Sequence, residues 1–122
     1  MTDAPPVKPL AWVGPSLKDF RAFADKVKSE MGYALYVAQC GGRYRKAKTL
    51  KGMGGAGVVE LIGDHQGNTY RTVYTVRFET AIYVLHAFQK KSKSGIATPQ
   101  TETRLIGLRM RDAERMHKES QS

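Results

Sequence analysis

Two long runs of strand-forming residues, Thr69 to Phe78 and Ala81 to Gln89, are separated only by Glu79-Thr80. β-branched and aromatic side chains dominate both, and a two-residue connection is short enough for a hairpin. An antiparallel pair at this place limits everything around it. If Phe78 pairs with Ala81, then Val76 faces Tyr83, Tyr74 faces Leu85 and Thr72 faces Ala87. That side is apolar and is expected to pack on helices. On the other side Val73 faces His86 and Arg71 faces Phe88, with Arg77 near the turn and Lys90 continuing the face. Arg71, His86 and Lys90 then share one surface over a floor of Val73, Val84 and Phe88. A slip of one residue would bury the arginines instead, which is costly.

The rest of the chain supplies the partners of that hairpin. Residues 1–7 read as a loose tail, 8–115 as one domain and 116–122 as a fraying polar tail; 122 residues suit a single core. Pro9 to Gly14 suits a short strand at a sheet edge. Ser16 is placed to cap a helix, with Asp19 three residues on. Leu17, Phe20, Ala24, Val27 and Met31 line one face of it until Gly32. Tyr33 to Cys40 reads as a second short helix ended by Gly41-Gly42. Val58 to Ile62 is strand-like, and Gly63 to Asn68 carries turn residues. Thr98 can cap a last helix with Pro99 at its first position. The expected class is α+β, with a mainly antiparallel four-stranded sheet, two N-terminal helices and one C-terminal helix.

Charge narrows the function. The net charge is +9, a balance that attracts nucleic acid or other polyanions. Arg43, Arg45, Lys46, Lys48 and Lys51 form a basic connector with no acid among them. No acidic residue lies between Thr80 and Thr101, where Lys90, Lys91 and Lys93 follow the last strand. Cations for phosphate, Phe88 as a stacking surface and Arg71 for bidentate contacts are the parts of a nucleic-acid site. The unperturbed pKa of a histidine lies near neutrality, which makes His86 the preferred general acid or base; Glu60, a carboxylate inside a strand, is the other candidate.

Other motifs fail on context. Gly52 to Gly57 spells G-x-G-x-x-G, but a strand-like segment follows it where a dinucleotide site needs a helix. His65, His86 and His117 lack metal-ligand spacing, so no metal and no cofactor is expected. Cys40 is the single cysteine and reads as packing beside a helix end, consistent with a reducing compartment. The first residues do not read as a signal peptide, and no apolar run reaches membrane-spanning length. A cytoplasmic protein without a membrane partner is the expectation.

Several segments resemble the phage-derived HigB-type branch of the RelE/ParE toxin superfamily. These are Lys8 to Trp12, Gly32 to Tyr36, Val59 to Leu61, Tyr70 to Tyr74 and Tyr83 to Ser92. The resemblance implies the toxin of a type II toxin–antitoxin pair, neutralised by a helix-turn-helix antitoxin. RelE-like members cut mRNA in the ribosomal A site without metal. It places Arg71 at a phosphate-binding arginine, and Lys90 and Lys91 at a cationic group after the last strand. Glu60 falls near a position that is a catalytic lysine in RelE. Arg71, His86, Lys90, Lys91 and Glu60 are thus the candidate catalytic set. Arg43, Arg45, Lys46, Lys48, Lys51, Arg77, Phe88 and Lys93 are the candidate contacts to mRNA and ribosomal RNA. ParE-like relatives act on DNA gyrase instead, and a basic nucleic-acid-binding phage remnant without toxicity is the third alternative.

Overall fold

The computed structural model describes residues 6–53, 55, 57–90 and 98–122. Its elements run β1 (Leu10–Trp12), α1 (Ser16–Arg21), α2 (Asp25–Gln39), β2 (Lys48–Thr49), β3 (Val58–His65), β4 (Asn68–Thr75), β5 (Ile82–Lys90) and α3 (Gln100–Ser120). The class is α+β as expected. The sheet, however, has five strands among the described residues, in the order β1-β5-β4-β3-β2, and it is mixed. β1 lies parallel to β5, with Ala11 opposite Tyr83, because two helices separate it from the sheet's other strands.

The helices divide differently from the apolar pattern. The break falls at Ala22–Ala24, and α2 runs through Gly32. An added Cβ at Gly32 would meet nothing within 4 Å, so this glycine lies on the open side of the helix. Ser16 does not cap α1. Its hydroxyl donates to the Val84 carbonyl at 3.2 Å and ties the helix to β5. The C-terminal helix does not fray after Arg115 but continues to Ser120. Met116 packs against the core there, and His117 Nδ1 lies 3.1 Å from the Tyr83 hydroxyl.

β3 and β4 join through Gln66-Gly67, both with positive φ (49° and 80°), which matches the twist of a two-residue hairpin. The β4–β5 connection is longer than the sequence suggested. It spans Val76 to Ala81, with the Phe78 ring against Tyr83 and His117. Arg71 does pair with Phe88, Thr72 with Ala87 and Val73 with His86. Tyr74 then pairs with Val84, not Leu85, because a bulge shifts the register by one.

That one residue re-sorts the core. Tyr74 and Val84 join Phe20, Val27, Met31, Leu35 and Leu61 on the α1–α2 face. Tyr83 and Leu85 join Val73, Ile106, Met110 and Ala113 on the α3 face. Val84 is therefore not part of the floor beneath Arg71. Both faces of the sheet are covered, and the surface expected to lie open carries α3.

The glycines offer a paired check. At Gly57 φ is +64°, and an added Cβ would stand 3.2 Å from the Arg77 nitrogen. Gly57→Ala is expected to destabilise by ~1–2 kcal/mol, while Gly32→Ala stabilises by about 0.5–1 kcal/mol in a helix interior. Urea unfolding of the two variants reads both signs.

Candidate functional site

Charged residues on the inner face of a covered sheet need partners, and here α3 brings them. Arg71 on β4 is 1% exposed, His86 on β5 is 5% and Glu60 on β3 is 6%. Glu60 stands opposite Val73, two residues along from Arg71, so the two charges meet diagonally across neighbouring strands. Arg71 Nη1 donates to Glu60 Oε2 at 3.2 Å and to the Thr98 hydroxyl at 3.0 Å. The Thr98 hydroxyl in turn donates to Glu60 Oε2 at 2.7 Å. Thr98 is thus committed to this triangle and makes no side-chain cap on α3, whose first residue is Gln100.

His86 lies one strand over. Arg109 Nη1 sits 2.8 Å from its Nδ1 and 3.1 Å from the Leu85 carbonyl. A guanidinium has no lone pair to offer, so Nδ1 must accept and the imidazole proton sits on Nε2. From there it donates to the Glu102 carboxylate. Burial pushes the His86 pKa below its ordinary 6.5; Glu102 opposes that push, Arg109 adds to it, and more distant Asp19 opposes it weakly. The imidazole is therefore neutral in the folded protein. One ring face is stacked on Phe88, with centroids 4.7 Å apart.

The sequence candidates fall into three groups. Arg71 and Glu60 come together, His86 stands on the same face one strand from Arg71 in a separate set of hydrogen bonds, and Lys90, opposite Thr69, shares that face at the end of β5. Lys91 and Lys93 lie outside the described residues. Phe88 is on the expected face, but His86 occupies one side of its ring, so it offers less stacking surface than its type implied. Arg77 pairs with Glu114 on α3 at 2.9 Å, near the opposite end of β4.

The basic connector lies at the other edge of the sheet. Lys48 stands opposite Glu60 on β2. Arg43 donates to the Thr49 hydroxyl at 3.0 Å, Lys46 pairs with Glu30 at 3.0 Å, and Arg45 and Lys51 are exposed. Among the described residues, no group of three or more His, Cys, Asp or Glu could hold a metal ion. No helix there is long and apolar enough to cross a membrane.

Thr98, Glu102 and Arg109 were not identified from the sequence. A signal was present. Glu102 and Arg109 fall in step with the buried stripe of Ile106, Met110 and Ala113, and charges in an apolar stripe announce buried partners.

A family model matches residues 18–111, a span that takes in Glu60, Arg71, His86, Glu102 and Arg109. The chain belongs to the phage-derived Gp49-like protein family (DUF891). Comparison with curated proteins and with solved structures gave no match. In this Gp49-like chain the matched region begins in α1 and ends within α3, so it includes most of the cover as well as the sheet beneath it.

Two outcomes test the network. Arg71→Ala strands a buried carboxylate and should cost ~3–5 kcal/mol, whereas Glu60→Leu with Arg71→Met removes both charges and should cost far less. Thermal unfolding of the three proteins decides it. For His86 the unfolded chain takes up its proton first as pH falls. Its contribution to stability is therefore complete above 6.5 and lost as pH drops through 6.5 toward the lowered folded value. In denaturant titrations at several pH values, His86→Gln should show a flatter slope than the parent.

Proposed function

We propose that this Gp49-like protein is the toxin of a type II toxin–antitoxin pair and an RNA-cleaving one, of the RelE-like, HigB-type kind. One observation carries the reading: Glu60, Arg71 and His86, all ionisable and all nearly inaccessible, stand on the α3-facing side of three adjacent strands, Glu60 bonded to Arg71 and His86 bonded to Arg109 and Glu102. Such a group adds little stability over an apolar core of the same volume, and buried ionisable groups that stability does not require mark candidate functional sites. The +9 charge and the resemblance of Tyr70 to Tyr74 and Tyr83 to Ser92 to RelE-like toxins supply the substrate class.

The chemistry is internal transesterification. A ribose 2′-oxygen bonds to the adjacent phosphorus, and the bond to the 5′-oxygen breaks, leaving a cyclic phosphate and a 5′-hydroxyl. Arg71, Lys90 and Lys91 stabilise the charge that builds on the five-coordinate phosphate. His86 is neutral and therefore serves first as the base: released from Arg109, its Nδ1 accepts the 2′-hydroxyl proton, and the imidazolium so formed donates a proton to the leaving 5′-oxygen. Glu60 is the other candidate acceptor of the 2′-hydroxyl proton. Metal and cofactor have no part in this scheme.

RNA reaches Arg71 only when the start of α3 stands away from the sheet. Among the described residues, the contacts to be broken include polar ones at Thr98 and Glu102; the first buried apolar side chain of α3 is Ile106. Those contacts are exchangeable with phosphate. The cover is also the observation that favours a second reading, a ParE-like toxin that meets gyrase through its outer surface and leaves the network closed.

Induction of the gene alone, with mapping of mRNA 5′ ends, separates the readings. The nuclease reading expects codon-phased cuts from the parent and none from Glu60→Leu/Arg71→Met, which keeps its fold. Intact mRNA with a DNA-damage response would favour gyrase, and unaffected growth would refute both. Co-expression with a cognate helix-turn-helix antitoxin is expected to restore growth.

A further inference from the structure

α2 turns a tyrosine-bearing face away from the sheet. Tyr33 and Tyr36 are 60% and 51% exposed, whereas Tyr70, Tyr74 and Tyr83 are buried. Three residues apart on a helix, the two side chains are neighbours on one face. Lys26 and Ser29 extend the same face toward the N-terminus and are exposed as well. The stripe therefore lacks the run of apolar anchors that a partner helix needs. Tyr33 meets Tyr44 edge-on, with centroids 6.0 Å apart and planes at 83°, an arrangement that commits an edge of one ring to the face of the other.

The connector that follows α2 lines this surface with cations. Arg43, Arg45 and Lys46 are exposed. Lys46 and the Tyr44 hydroxyl both bind Glu30 on α2, at 3.0 and 2.8 Å, which holds the connector against the helix. Two residues after Lys46 the chain enters β2. There Lys48 stands opposite Glu60, the carboxylate bound to Arg71. The connector thus carries its basic residues from the end of α2 to the β2 edge of the sheet.

We infer that Tyr33, Tyr36 and the adjoining connector form a docking surface for single-stranded RNA, with bases stacked on the tyrosines and phosphates on Arg43, Arg45 and Lys46. The inference rests on the RNA-directed reading above and adds to it a binding surface remote from Arg71. Aromatic faces interleaved with cations suit unpaired bases on a charged backbone. A base-paired duplex hides the faces that would stack.

Binding is read by fluorescence anisotropy with a short 2′-O-methylated single-stranded RNA, which the protein cannot cut. Tyr33→Ala/Tyr36→Ala should weaken binding roughly tenfold or more, and Tyr33→Phe/Tyr36→Phe should stay within about twofold of the parent, because stacking needs the ring and not the hydroxyl. Arg45→Ala should reduce the slope of log affinity against log salt by about 0.7, whereas the alanine pair lowers affinity without changing that slope. Circular dichroism confirms that α2 persists in each variant. Unchanged binding by the alanine pair overturns the inference, as does equal affinity of the parent for the matching duplex or no affinity for the single strand. Cleavage plays no part in this readout. A parent that binds through its tyrosines and cuts no mRNA would uphold the surface while ending the nuclease reading.

Discussion

The Glu60–Arg71 pair sets the terms for this molecule. Two opposite charges on neighbouring strands, both nearly sealed from water, are tolerated only with close geometry and further hydrogen bonds. Thr98 supplies those bonds, and it precedes α3 by one residue. The pair thereby fixes where α3 begins. With its start pinned there, the helix lays Ile106, Met110 and Ala113 against Val73, Tyr83 and Leu85. Apolar packing alone would permit sliding; a charge pair with a single matching hydroxyl permits far less.

α3 is consequently held in two different ways. Its later turns bury apolar side chains, while its beginning is held by Thr98 and Glu102 through polar contacts. A bound phosphate can replace polar partners such as these, whereas buried apolar area has no such substitute. The proposed RNA-cleaving role therefore asks the start of the helix, and not its apolar turns, to give way over Arg71 and His86. Arg109 bridges the two halves, donating to the bulged Leu85 carbonyl and to His86.

Part of this arrangement was legible beforehand. The pairing of Arg71 with Phe88 and of Val73 with His86 follows from a hairpin whose strands alternate with period two. Beyond Val73 the reading failed, because a bulge adds one residue and sends Leu85 to the opposite face. A bulge carries no fixed residue signature, so periodicity cannot announce it. The capping residues misled for a related reason. Ser16 and Thr98 have the right chemistry to cap helices, yet the Val84 carbonyl and the Glu60–Arg71 pair claim their hydroxyls. Local rules give way when a distant partner offers a stronger or more deeply buried bond. Gly32 is a third instance, since an open helix side tolerates a glycine that propensity alone disfavours.

The chain by itself determined the α+β class, the antiparallel hairpin, the gathering of Arg71, His86 and Lys90 on one face, and the excess of positive charge, because each depends on residue type and near-neighbour spacing. Tertiary structure alone decided that this face would be covered, that β1 would run parallel to β5, and that Thr98, Glu102 and Arg109 would complete the buried network. Those outcomes depend on contacts between residues 16 to 72 positions apart, where the energy of burial and of charge pairing outweighs any local preference.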